Sequence, residues 1–197
     1  YWKYRDLNGD GVIDSKDEKV IGKAQPKFYG GITNNFSYKG FDLSFVLNYS
    51  VGGDVYNANK MFYTMTKNRY KNALTDVLGR FTYIDQNGEN VYRNPDALAQ
   101  LNSNNNYASL HGTQNLQFSS KFVESASYLR LSNITFGYTV PRTLVRKIGI
   151  QSLRFYASMN NLFTITGYSG FDPEVDTRSN GGLTPGIDWG AYPRATT

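Results

Sequence analysis

The chain has 197 residues, enough for one domain with a sizeable core. It contains no Cys, which excludes disulfides, thiolate metal sites and Cys nucleophiles. Its single His, His111, gives no basis for a His-centred triad or a zinc site and reads as an ordinary polar loop residue. The formal net charge is +5, but Lys and Arg are scattered, which speaks against a nucleic-acid stripe and for a solvated surface. With 16 Tyr, 12 Phe and 19 Gly among short alternating runs, the composition predicts an all-β fold.

The first segment of note is "DLNGDGVIDSKD", residues 6 to 17. Numbered from Asp6, acid or amide side chains fall at loop positions 1, 3, 5, 9 and 12, as Asp6, Asn8, Asp10, Asp14 and Asp17. Gly11 takes position 6, where a calcium loop turns sharply. Val12 at position 7 would offer its carbonyl, and Ile13 would anchor the loop. Hard oxygen ligands in this order suit Ca²⁺ and no soft metal. Position 12 departs from the usual Glu, and the loop there resembles dockerin-like loops, which also end in Asp. Flanking helices are missing: "YWKYR" is not helical, and Gly22 and Pro26 leave little room for one. A paired calcium sensor is therefore not expected. An Asx-rich turn without metal is the competing reading.

Strand signals follow. In "KFYGGITNNFSYKG", Phe28, Ile32, Phe36 and Tyr38 share a face against Tyr29, Thr33, Asn35 and Ser37. In "FDLSFVLNYSVG", residues 41 to 52, Phe41, Leu43, Phe45, Leu47, Tyr49 and Val51 face one way. This is period-2 alternation, and Lys39-Gly40 joins the two runs as a tight hairpin. Residues 53 to 126 form a long connection, with helix predicted around Asn57 to Leu78 and irregular loop around "SNNNYASLHGTQN". The third strand lies in "SYLRLSNITFGYTVP", with Ile134, Phe136, Tyr138 and Val140 on one face and Pro141 as its stop. Leu129 and Leu131 have the opposite parity, which predicts a bulge near Ser132. The fourth strand, in "SLRFYASMNNLF", sets Leu153, Phe155, Ala157 and Met159 against Arg154, Tyr156, Ser158 and Asn160.

Connections alternate between long (5–26, 53–126, 164–191) and tight (39–40) or moderate (141–152). Outer-membrane barrels do this systematically, with short periplasmic turns and long extracellular loops. The apolar faces carry no charge, and the opposite faces are mostly Asn, Ser, Thr, Tyr and Gly. Phe36, Tyr38, Phe41 and Tyr138 sit near the turns, where an interfacial aromatic girdle belongs. The pattern predicts antiparallel strands of a transmembrane β-barrel. A soluble secreted β-domain with a dockerin-like calcium loop, acting as a binding module, is the alternative.

In order, "DLNGDGVIDSKDEKVIG", "PKFYGGITNNFSYKGFDLSF", "SASYLRLSNITFGYTVP", "RFYASMNNLFTITGYSGFDPEV" and "GIDWGAYPRATT" resemble the C-terminal barrel region of SusC/RagA-like TonB-dependent transporters. The resemblance covers most of the chain except the variable loop from about 53 to 120. It implies the last strands of a large plugged barrel of about 22 strands. The plug domain, through which TonB would act, the signal peptide and the closing strand would lie outside residues 1 to 197. It also implies the outer membrane and its lipid as surroundings, a SusD-like surface lipoprotein as partner, and glycan or peptide as substrate.

Other candidates stand beside this. "FDPEVD" offers Asp172, Glu174 and Asp176 as a second metal or substrate contact, against a Pro-containing turn with solvated acids. Trp189 and Tyr192 would stack on a sugar ring or anchor an interface. No P-loop, nucleophile elbow or metalloprotease motif occurs, so no catalytic residue and no enzyme activity are expected.

Overall fold

The computed structural model describes residues 4–64, 72–107, 118–174, 185–190 and 194–197. In chain order its elements are β1 (Phe28–Tyr38), β2 (Phe41–Val51), β3 (Asp54–Asn57), α1 (Ala58–Thr64), α2 (Pro95–Leu101), β4 (Val123–Ser125), β5 (Tyr128–Thr139), α3 (Arg142–Val145), β6 (Arg154–Thr166) and β7 (Ile187–Asp188). The chain divides into two compact units, one of Tyr1–Ile21 with Ala58–Phe122 and one of Gly22–Asn57 with Val123–Thr197.

The second unit holds a four-stranded antiparallel sheet in the order β1-β2-β5-β6. Its strands are the four that alternation predicts. Lys39 and Gly40 close the first hairpin with φ of 47° and 88°. Two consecutive positive φ values are what a tight turn needs to match the right-handed twist of its strands. The bulge also falls where parity places it. Leu47 faces Leu131 and Val46 faces Asn133, so Ser132 has no partner in β2. The bulge returns Leu129 and Leu131 to the face of Ile134, Phe136 and Tyr138. β6 answers with two residues, Asn161 and Leu162, against the single Ser132 between the partners of Asn133 and Leu131, and Asn161 takes φ 49°.

One apolar face therefore runs across all four strands. Cross-strand rows read Ile32–Leu47–Leu131–Phe163, Phe36–Leu43–Phe136–Ala157 and Tyr38–Phe41–Tyr138–Phe155. Phe41 packs on Tyr138 with ring centroids 4.4 Å apart and on Phe136 at 5.9 Å. The opposite face is a mesh of short polar side chains. Asn133 Nδ2 donates to Asn160 Oδ1 at 2.8 Å, Asn48 Nδ2 to Ser132 Oγ at 2.8 Å, and Thr135 and Ser158 share a 2.9 Å hydroxyl bond. Gly137 belongs to this face. A Cβ there would stand 2.5 Å from a carboxylate oxygen of Asp42 and 2.8 Å from the Arg154 guanidinium. The missing side chain is the space in which that ion pair forms.

The apolar face is not a core. Of the buried apolar residues among those described, only Leu131 belongs to this sheet; the others are Val55, Tyr56, Ala58, Met61, Val77, Phe122, Val145 and Tyr168. Phe36, Phe136, Met159 and Phe163 are each about half exposed, and Phe155 and Ile165 more so.

The long connection is less uniform than a loop. β3 and β4 pair antiparallel at its base, and β7 joins β3 in parallel. Helix forms over Ala58–Thr64, within the predicted 57 to 78, and a 3-10 turn over Thr75–Gly79 ends one residue beyond it; residues 65–71 lie outside the described residues. Periodicity does not predict α2. It begins at Asn94, whose side chain accepts from the Ala97 amide at 3.2 Å, followed by Pro95 at the first position. The fold is thus mostly antiparallel strands with a few short helices.

Candidate functional site

The 6–17 loop is held by its own acidic and amide side chains. Asp6 accepts from the amides of Gly9 at 2.6 Å and Gly11 at 2.8 Å. Asn8 accepts from Asp10 N at 3.0 Å, and Asp10 from Val12 N at 2.9 Å. Asp17 closes the ring by accepting from Leu7 N at 2.7 Å and Asp14 N at 3.0 Å. Asp14 caps the 3-10 turn Ser15–Asp17 in a capping box. The amide donors, Asp14 first and then Leu7, hold the Asp17 carboxyl below its ordinary range. This contribution to loop order is present above the ordinary carboxylate pKa and fades as pH falls through the lowered value.

Gly9 and Gly11 both take φ 79°. The ring places oxygens of Asp6, Asn8, Asp10 and Asp17 on one backbone circuit, with no Lys or Arg among the described residues paired to Asp6, Asp10 or Asp17. That donor set is all hard oxygen. Among the described residues no three carboxylates or imidazoles already converge at metal distance. Ile13 does not anchor the loop: among the described residues it is left 47 % exposed.

A second constellation lies at the long-loop end of the sheet's polar face. Arg130 on β5 is only 2 % exposed. Its guanidinium donates to Asp172 at 2.6 Å, to Glu174 at 2.9 Å and to Thr164 Oγ1 at 3.1 Å. Arg194 adds a 3.1 Å contact to Glu174 and a looser 3.8 Å one to Asp172. Asp172 also accepts from the Glu174 amide at 2.9 Å, so the Pro173 turn is folded around its own carboxylate. The expectation of solvated acids is corrected here. Asp172 is 4 % exposed, because a buried Arg desolvates and pairs it. Nothing in the local sequence marks this. Arg130 reads as one polar residue in an alternating strand, and its partners lie 42 and 44 positions away.

A third network fixes the neighbouring loop. Tyr168 Oη donates to Asp188 at 2.6 Å, and Asp188 is fully buried. Burial, followed by this bond and the Asp188 charge, pushes the Tyr168 phenol far above its ordinary value. Glu124 accepts from the Ser169 amide and hydroxyl, both at 2.7 Å.

Between these anchors, a cleft of about 570 Å³ opens onto the polar face, lined by Tyr29, Asn48, Ser50, Tyr128 and Glu174 among others. Trp189 is about half exposed beside β7. Tyr192, Asp176 and His111 lie outside the described residues. The arrangement presents fixed hydroxyl, amide and carboxylate groups and paired charges.

No protein-family model matches the chain. Curated relatives do. TonB-dependent receptor P3 of Formosa agariphila is 31 % identical over 200 residues, spanning 98 % of this chain and 18 % of the relative. TonB-dependent receptor SusC of Bacteroides thetaiotaomicron is 34 % identical over 195 residues, spanning 98 % of this chain and 16 % of the relative. Among solved structures, the RagAB peptide transporter superposes with a TM-score of 0.67 at 23 % identity, covering 94 % of this chain and 18 % of that one. The RagAB peptide importer in an open-open state gives 0.64 at 26 %, covering 98 % and 19 %. The chain thus spans under a fifth of the length of these proteins. The curated relatives are receptors, not enzymes, as the lack of a catalytic motif leads one to expect.

Proposed function

The chain belongs with the SusC-like TonB-dependent receptors of the outer membrane, and on that premise we propose that it forms part of the wall of a transmembrane barrel that imports oligosaccharides or peptides. The observation that carries this reading is the uncovered apolar face of the four-stranded sheet, backed by a hydrogen-bonded polar face. A soluble protein rarely leaves so large an apolar patch in water. In a bilayer the same face is satisfied by lipid, while the polar face lines the lumen. Strand lengths agree. β1 and β2 have 11 residues, β5 has 12 and β6 has 13. At about 3.3 Å per residue and a tilt of about 45°, they reach roughly 25–30 Å across the membrane.

In this reading the short turns face the periplasm. The long connections and the Arg130–Asp172–Glu174 cluster lie on the extracellular side, where a SusD-like lipoprotein would bind. TonB would act through a plug supplied by another part of the receptor. Support for the lipoprotein partner comes from the likeness to RagAB and SusC. The cleft at Tyr29, Asn48 and Glu174 would border the substrate path, with Trp189, Tyr192 and Asp172 as candidate contributors. A secreted soluble binding module is disfavoured by the same half-exposed Phe and Ile side chains.

Single-cysteine labelling tests the wall. In the full-length receptor in membranes, Phe163→Cys is expected to resist a water-soluble maleimide and, once labelled with a membrane-permeant fluorescent maleimide, to be quenched by brominated lipid, while Ser158→Cys reacts with the water-soluble reagent. Equal reactivity at the two positions rejects the spanning sheet. Parallel uptake assays with oligosaccharides and peptides decide the substrate class.

The 6–17 loop would bind a structural Ca²⁺ and stiffen the segment leading to β1, with Asp6, Asn8, Asp10, Asp14 and Asp17 as side-chain ligands and the Val12 carbonyl completing them. The fit rests on the closed oxygen circuit and its two left-handed glycines. Calorimetry on the full-length receptor should show Ca²⁺ binding that Asp10→Ala weakens at least ten-fold. Identical isotherms for the two proteins would remove calcium from the proposal.

A further inference from the structure

We infer that the β5–β6 turn is a headgroup-binding site for anionic phospholipid of the leaflet at the short-turn end of the sheet. The inference rests on the reading that the apolar face meets lipid, and its test is kept separate from that one.

Residues 140 to 153, "VPRTLVRKIGIQSL", contain Arg142, Arg146 and Lys147 and no acid. Pro141 ends β5, the turn winds through α3 and the 3-10 turn Arg146–Ile148, and Gly149 stops it with φ 77°. The amides of Gly149 and Ile150 return to Arg146 O and Val145 O, both at 3.1 Å, so the shape is fixed by its own backbone. Val145, 2 % exposed, pins it from beneath.

On this frame Arg142 and Arg146 stand one helical turn apart, on the same side. With Gly149, Ile150, Gln151 and Ser152 they line a cleft of about 430 Å³. Its polar side chains are two guanidinium groups, an amide and a hydroxyl, all able to donate and none anionic. The three other arginines among the described residues of this compact unit each have a carboxylate: Arg130 has Asp172, Arg154 has Asp42 and Arg194 has Glu174. Arg142, Arg146 and Lys147 have no ion-pair partner among the described residues. Arg142 and Arg146 supply the donor geometry that phosphate oxygens accept in pairs.

Apolar groups accompany the cations. Leu144 is 56 % exposed and Ile148, four positions on, 70 %. They sit at the end of the hairpin whose last apolar pair is Tyr138 with Phe155, itself widely exposed. The neighbouring turn at this end contributes another cation, Lys39, 5.2 Å above the Tyr38 ring. Inorganic phosphate would use the arginines and leave Leu144 and Ile148 in water. A phospholipid uses both: its phosphate meets Arg142 and Arg146, and its acyl chains lie along Leu144, Ile148 and the apolar face of the sheet. Basic residues beside a membrane span attract anionic headgroups, each by about five-fold in affinity.

The test uses the full-length receptor in zwitterionic detergent, titrated with phosphatidylglycerol or phosphatidylcholine and read by native mass spectrometry. The wild type should bind phosphatidylglycerol at least ten-fold more tightly than phosphatidylcholine. Arg142→Gln/Arg146→Gln should abolish that preference, whereas Lys19→Gln/Arg93→Gln, removing as much charge from other loops, should keep it. Leu144→Ser/Ile148→Ser should weaken both lipids. Unchanged preference in the arginine variant overturns the site, as does full displacement of lipid by millimolar inorganic phosphate. Bromolipid quenching of a fluorophore attached at Phe163→Cys reports independently on the spanning sheet. Its failure with headgroup preference intact condemns the wall, and the reverse condemns only the lipid site.

Discussion

Arg130→Met in the full-length receptor is expected to free the loop after β6, raising hydrogen exchange at residues 168 to 174 by about a hundred-fold. The magnitude follows from burial. Side chains of Arg130 and Asp172 are 2 % and 5 % exposed, and removing one partner of such a pair costs about 3–5 kcal/mol because the other charge stays buried. Arg194 offers Asp172 only a 3.8 Å contact from a half-exposed side chain, so the lower end of that range applies. Arg194→Gln alone should change exchange several-fold at most, as exposed pairs contribute under about 1 kcal/mol. Arg130→Met/Asp172→Leu should exchange more slowly than Arg130→Met, since no buried charge is left without a partner. If the double variant is as labile as the sum of its parts, the two residues are not coupled and the loop is held by the Tyr168–Asp188 and Glu124–Ser169 bonds instead. The prediction bears on function because Glu174, which this pair positions, borders the cleft.

The four long strands were legible because each writes its face into its own residues. Phe41, Leu43, Phe45, Leu47 and Tyr49 need no distant information to declare a period of two. Even the bulge at Ser132 was legible, since Leu129 and Leu131 conflict in parity with Ile134 and only an inserted residue reconciles them. What was not legible depends on long-range pairing. β3 and β7 pair in parallel between Tyr56 and Ile187, and two-residue β7 has no periodicity to read. The role of Arg130 is illegible for the same reason. An Arg among alternating residues says only that its face is polar, while its burial is produced by a loop that folds back onto it. The 6–17 loop was legible in ligand order. Its hydrogen-bond circuit then shows how residues spaced two apart hold the loop in shape.

Ile134→Arg should prevent or destabilise assembly of the receptor in the outer membrane, whereas Thr135→Arg, one residue on, should be tolerated. The two positions share a strand, a mid-sheet depth and a mutant side chain, and differ only in the face they present. Ile134 lies between Phe45 and Met159 on the apolar face; Thr135 lies between Ser44 and Ser158 on the polar one. Arg at the lipid-facing midplane of a barrel costs about 2–4 kcal/mol, falling to about 0–1 near the interfaces. The same substitution at Tyr138, beside the short turns, should therefore be milder than at Ile134. Urea unfolding of the receptor refolded into lipid vesicles measures the three directly. Depth dependence on one face and indifference on the other have no counterpart in a soluble sandwich, where Ile134→Arg would be harmful and Tyr138→Arg would carry no bilayer gradient. Equal stability of Ile134→Arg and Thr135→Arg would mean that neither face of this sheet meets lipid, and the barrel reading would go with it.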